Sequence, residues 1–175
     1  WLADTKGTDA GFVHLHLKGM TKLKFLDLNN TEVADAGLEH LKGLTNLKEL
    51  YLENTKVTDA FLVHLKGMTS LQQLWLHGTQ VSDAGLEHLE GLTNLKELDL
   101  ARTKVTDAGL EHLKGLTKLQ RLHLSYNKIT GAGLVHLKGL TKLVYLNLDK
   151  TKVTDAAVKQ LQQALPKCRI YHLIR

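Results

Sequence analysis

Ten histidines among 175 residues raise the question of metal chemistry. Six of them, His14, His40, His64, His88, His112 and His136, fall at one place in a recurring phrase. Neighbouring helices pack about 8–10 Å apart, whereas imidazoles sharing a zinc each need a bond of about 2.0–2.1 Å. No carboxylate or thiol completes a ligand set, so the column reads as scaffold and no metal is expected. Hydrolase chemistry needs a nucleophile, a base and an orienting group, yet the sequence has no G-x-S-x-G, H-E-x-x-H or phosphate-loop pattern. Cys168 and His172 read as a small buried cap cysteine and a surface histidine rather than a catalytic pair. Cys168 is the single cysteine, which excludes an intramolecular disulfide and a thiolate cluster. The expectation is a chain without catalytic residues or cofactor, not an enzyme.

Lys18, Lys42, Lys66, Lys114 and Lys138 form a second column, interrupted by Glu90. They read as a solvated helix face that complements the C-terminal dipole. The net charge of +5 is a modest excess without a block of like charge along the chain. No zinc finger, helix-turn-helix or aromatic RNA-binding pattern accompanies it, so nucleic-acid binding is not expected. No run of 18 apolar residues is present to cross a membrane. The compartment is not legible.

The elements behind these columns follow from a 24-residue period, T-x-V-T-D-A-G-L-x-H-L-K-G-L-T-x-L-x-x-L-x-L, opening at Thr31, Thr55, Thr79, Thr103, Asn127 and Thr151. Leu50 and Leu52 alternate as in a strand, with Tyr51 facing the other way. Leu26, Leu50, Leu74, Leu98, Leu122 and Leu146 are expected to stack as one buried ladder. Asp35, Asp59, Asp83, Asp107 and Asp155 precede helical runs and are expected to accept hydrogen bonds from first-turn N–H groups. Gly19, Gly43, Gly67, Gly91, Gly115 and Gly139 follow those runs, where a left-handed residue ends a helix. A crossover of this length between parallel strands is right-handed, and helices, being wider than strands, bend the stack.

This pattern resembles the leucine-rich repeat family over essentially the whole chain, and its T-D-A-G-L form is similar to 24-residue repeats of many bacterial proteins. The resemblance implies an α/β right-handed solenoid, a horseshoe arc with a parallel β-sheet on the concave face and short α-helices on the convex face. The family usually has asparagine where this chain has threonine. Asn127 alone keeps it, and a threonine ladder is expected to do the same structural work.

Residues 1–175 read as one domain of about seven repeats. The first unit is 26 residues, with His16-Leu17 as the extra pair. Trp1 and Leu2 fall late in a strand, so the N-terminus reads as truncated. Residues 151–175 depart from the phrase and read as a C-terminal capping repeat.

The residues that vary between repeats carry the functional reading. Phe25, Tyr51, Trp75, His77, Arg121, His123 and Tyr145 occupy positions alternating away from the leucine core, and Arg102 sits at a strand exit. Aromatics beside charges have the composition of an interface hot spot. Tyr51 and Trp75 are expected to form a two-strand aromatic step, on a surface acidic at first and more basic later. The family resemblance implies protein–protein recognition through the concave face. The alternatives are a structural or spacer domain of a larger bacterial protein, or binding of a glycan or acidic surface.

Overall fold

In the computed structural model, which describes residues 19–41 and 43–173, seven three-residue strands form a single parallel sheet in chain order. They are β1 (Phe25–Asp27), β2 (Glu49–Tyr51), β3 (Gln73–Trp75), β4 (Glu97–Asp99), β5 (Arg121–His123), β6 (Tyr145–Asn147) and β7 (Arg169–Tyr171). Register is set by the period: Leu26 pairs with Leu50, Leu50 with Leu74, and so on to Leu146 with Ile170. The middle residue of β1–β6 is buried and its neighbours are not. A one-residue slip would turn every leucine to solvent, so burial fixes the pairing. The leucine ladder joins Leu52-type, Leu38-type and Val57-type positions in one continuous apolar core. The result is a leucine-lined solenoid with the sheet on its concave side and short helical turns on its convex side.

The convex turns are shorter than the expected helices. Asp35–Leu38, Asp59–Leu62 and Asp83–Leu86 are single α-helical turns that tighten into three-residue 3₁₀ turns. Gly109–Leu113 and Gly133–Leu137 are wholly 3₁₀. Among the described residues only Asp155–Ala164 runs for ten residues as an α-helix. A 24-residue circuit leaves few residues for the return. Because the turns tighten into 3₁₀ geometry, the expected left-handed stop is unnecessary: in that glycine column Gly43 alone has a positive φ, 94°. Met68 and Leu92 instead donate to the carbonyls three residues back.

The aspartates also differ from expectation. For Asp35, Asp59, Asp83 and Asp155 the N-cap is the residue before, and Thr58 and Thr154 supply the cap oxygen to Ala60 and Ala157; after Asp107 the N-cap is Ala108. Four of them reach sideways instead: Asp83 accepts from the Thr106 N–H at 2.7 Å and from its hydroxyl at 2.6 Å. Asp35, Asp59 and Asp107 hold Thr58, Ser82 and Thr130 in the same way. An Asp–Thr ladder therefore ties one repeat to the next.

The threonines at the repeat openings do not form the expected ladder. Thr31, Thr55, Thr79, Thr103 and Thr151 each donate to a carbonyl three residues back in their own turn. A threonine side chain is too short to span two turns. Asn127 does span them, donating to Leu100 O at 2.7 Å and accepting from Thr103 N–H at 3.0 Å.

The histidine column packs between the convex turns: His88 has a side chain only 14 % exposed, and His112 Nδ1 lies 2.7 Å from Glu90 Oε1. His172 is not the surface residue expected. Its side chain is 5 % exposed, with Nε2 2.7 Å from Val153 O and Nδ1 3.3 Å from Asp155 Oδ1. It approaches Asp155 as Thr106 and Thr130 approach Asp83 and Asp107. His14, the His40 side chain, Lys18, Lys42, the Trp1–Leu2 strand remnant and the His16-Leu17 extra pair lie outside the described residues.

Candidate functional site

The strands decide which side chains meet on the concave face, because residues 24 apart in sequence become lateral neighbours about 4.8 Å apart. Tyr51 and Trp75, paired in register, stack with ring centroids 4.4 Å apart and planes inclined by 16°. Phe25 abuts Tyr51 edge to face at 5.2 Å. Ring contacts resume beyond Asp99, with Tyr145 of the adjacent column bridging: His123 meets Tyr145 at 4.9 Å, and Tyr145 meets Tyr171 at 5.0 Å. Two aromatic runs thus flank one gap.

Local chemistry explains the gap. Where the column carries a short polar residue, the side chain closes on its own backbone. Asp27 accepts from Asn29 N–H, Asp99 from Ala101 N–H and Asn147 from Asp149 N–H. Asp99 therefore stays low while Trp75 and His123 rise on either side, about 10 Å apart at two strand spacings. The hollow between them measures about 330 Å³ and is lined by Trp75, Glu97, Leu98, Asp99, Arg121 and His123.

Its electrostatics are divided. The first four strands present Asp27, Glu49, Glu97 and Asp99, and Glu53 lies just beyond β2. Burial chiefly, then the charges of Asp99 and Asp27, raise the Glu53 carboxyl above its ordinary range, against a lowering contribution from His77. Burial also leads in raising the Tyr51 phenol, followed by its hydrogen bond with Glu49 and the charges of Glu49, Glu97 and Asp27. That hydroxyl lies 3.0 Å from Glu49 Oε2 and 2.9 Å from Gln73 Oε1, which fixes the ring. On the later strands Arg121 approaches Glu97 at 3.9 Å and Arg169 lies 5.0 Å over the Tyr171 ring.

Of the residues singled out in the sequence, Trp75, Arg121 and His123 line the hollow. Tyr51, Phe25 and Tyr145 extend its aromatic walls. His77 acts on Glu53 from the neighbouring strand exit. Arg102 does not line the hollow and stands at the strand-exit rim, its guanidinium over the Tyr126 ring at 4.4 Å. Sequence reasoning passed over Glu97 and Asp99 as site residues, and over Tyr171, although their column positions were legible.

Among the described residues no group of three or more His, Cys, Asp or Glu side chains is placed to hold a metal ion. No helix among the described residues is long and apolar enough to cross a membrane. Cys168 is buried, and desolvation pushes its thiol from an ordinary 9.0 to about 11. At pH 8, thiolate should therefore be about a hundredfold scarcer in the folded chain than in the unfolded one. Iodoacetamide labelling followed by mass spectrometry should show that ratio. Equal rates in buffer and in urea would mean that the thiol is open.

A leucine-rich repeat model matches residues 85–153, and a two-copy leucine-rich repeat model matches residues 21–67. With the observed solenoid these matches show that the chain belongs to the leucine-rich repeat family. It is similar to internalin C2 of Listeria monocytogenes, at 25 % identity and a TM-score of 0.79, over 98 % of this chain and 78 % of that one. Another internalin of that species, inlF, superposes at a TM-score of 0.54 with 20 % identity, over 91 % of this chain and 56 % of that one. A leucine-rich repeat protein of Leptospira interrogans gives 0.59 and 21 %, over 88 % and 50 %. These last two show the fold alone, and the chain spans about half their length. No curated protein matches the sequence. Leucine-rich repeat folds are typically non-catalytic scaffolds that support protein–protein interaction through the concave face.

Proposed function

We propose that this protein is a non-catalytic recognition module that grips a protein partner through its concave face, centred on the hollow at Asp99. We place it with the 24-residue bacterial repeats of the T-D-A-G-L form and read residues 1–175 as one domain of about seven repeats, closed by a capping repeat at 151–175. The observation that carries the reading is the interrupted aromatic strip. Tyr51–Trp75 and His123–Tyr145 stand rigid and partly exposed on either side of a polar floor. Stacked rings lose little conformational freedom on binding, so they suit anchoring residues. Carboxylates before the hollow and arginines after it set a direction for the bound segment, because the reversed orientation opposes like charges. Phe25, His77 and Arg102 belong to the outer margin of this surface.

A pull-down with the intact chain, Trp75→Ala and Lys114→Ala tests this. Lys114 is exposed on the convex side and pairs with Glu111 at 3.2 Å. Trp75→Ala should weaken capture by about 30-fold or more, the loss of one hot-spot residue, with little change in the unfolding midpoint. Lys114→Ala should leave capture intact. The concave reading fails if Lys114→Ala abolishes capture while Trp75→Ala does not. An unfolded Trp75→Ala chain would make Trp75 a packing residue.

A further inference from the structure

The solenoid assembles a charged strip that the linear sequence scatters. Two columns leave the strands side by side at the rim: Asn30, Asn54, Gly78, Arg102, Tyr126 and Lys150, then, two residues later, Glu32, Lys56, Gln80, Lys104, Lys128 and Lys152. Backbone bridges Ser82 to Lys104, Thr106 to Lys128 and Thr130 to Lys152 tie each of these lysines to the preceding repeat, two residues beyond that repeat's own column member. The lysines therefore recur once per repeat along the rim, each displaced from the last by about one strand spacing sideways and two residues along the chain.

The two halves of the rim differ in kind. In the early repeats the left-handed position is held by Asn30, Asn54 and Gly78, types that tolerate it. In the later repeats the same conformation is imposed on Arg102 (φ 52°), Tyr126 (φ 60°) and Lys150 (φ 58°). Bulky residues there are strained. That strain places exposed side chains on the rim and gives the fold no core contact in return. Charge follows the same division. Glu32 and Lys56 neutralise one another at 2.5 Å. Arg102, Lys104, Lys128, Lys150 and Lys152 have no ion pair among the described residues. The nearby carboxylates of Asp83 and Asp107 are engaged by Thr106 and Thr130. Five cations without an ion pair therefore share the rim with one exposed aromatic ring, Tyr126, which is 50 % exposed and carries Arg102 at 4.4 Å.

We propose that this rim, independently of the concave face, is a docking site for a linear anionic polysaccharide bearing sulfate or carboxylate groups. Evenly spaced ammonium groups on a shallow edge match a polymer with charges at intervals and need no side-chain pocket. Release of counterions from such a polymer supplies affinity that isolated surface ion pairs do not. The free face of Tyr126 offers a flat apolar surface for the C–H face of a sugar ring. A single-stranded nucleic acid calls for a succession of aromatic platforms, and this rim has one.

The probe is a heparin-derived octasaccharide, with an uncharged dextran oligosaccharide of the same length as control, titrated calorimetrically at two salt concentrations. The intact chain should bind the sulfated probe and not dextran, with affinity falling as salt rises. The rim variant Lys104→Glu/Lys128→Glu/Lys152→Glu should bind about tenfold more weakly or worse. Its counterpart on the opposite edge, Lys96→Glu/Lys118→Glu/Lys142→Glu, makes the same change of net charge and should bind nearly as well as the intact chain. Tyr126→Gly should bind several-fold more weakly without a lower melting temperature, since glycine relieves the left-handed strain. Trp75→Ala should bind the saccharide normally, which separates this site from the concave one. Equal losses in the two triple variants would overturn the proposal, as would tighter binding to a single-stranded RNA or to anionic vesicles at equal charge.

Discussion

Replacing Leu98 by alanine is expected to lower stability by about 2–5 kcal/mol. Leu98 is the buried centre of β4, wholly inaccessible, and stacks in register between Leu74 and Leu122. Truncation leaves a cavity that neither neighbour can fill, because both are held by their own strand pairs. In a solenoid the loss does not spread evenly, since each repeat touches only those on either side. Urea unfolding should give the magnitude, and hydrogen exchange its location: the amides of β3 and β5 should lose protection ahead of those of β7. A loss below 1 kcal/mol, about the scale of a surface change, would mean that Leu98 is not in the core. Uniform loss of protection along the chain would remove the nearest-neighbour account.

Gly109→Ala should be the other costly change, and its partner is foreseeable. A methyl group there would stand 2.3 Å from Asp83 Oδ1 and 3.0 Å from a Leu86 methyl carbon. That carboxylate is fixed by its two bonds to Thr106, so it cannot retreat without losing them. The cost should be about 1–3 kcal/mol for overpacking. Adding Asp83→Gly removes the obstacle, so the double variant should be better than the sum of the singles by about 0.5–3 kcal/mol.

The chain already contains this exchange. Gly131 stands where other repeats have the aspartate, and Ala157 where the others have glycine except for Phe61. A Cβ at position 131 would lie 2.7 Å from the Ala157 methyl carbon. Reversing the pair gives a second test. Gly131→Asp alone should destabilise, and Gly131→Asp with Ala157→Gly should recover, because the carboxylate can then reach Thr154 as its counterparts reach Thr106 and Thr130. Additive effects in both cycles would show that the aspartate and glycine columns do not contact one another as described.

The period by itself determined the leucine ladder and the strand positions, since only parallel stacking gives Leu26, Leu50, Leu74, Leu98, Leu122 and Leu146 a common interior. It also determined which residues face away from that interior, so the meeting of Tyr51 and Trp75 was legible before any coordinate. What it left undecided depends on contacts across repeats. Asp83 has the spacing of a helix cap, but Thr106 of the next repeat competes for its carboxylate and takes it. The threonines bond inside their own turns because the side chain is too short to bridge two, a matter of distance that no spacing in one repeat reveals. The His172 side chain is buried by its contacts with Val153 O and Asp155, which no spacing within one repeat reveals. The unpaired rim from Arg102 to Lys152 is likewise absent from the linear chain, where its cations lie far apart. Residue types and their alternation set the interior locally. Neighbours 24 positions away, brought about 4.8 Å apart by the sheet, set the polar bonds and the charged surfaces.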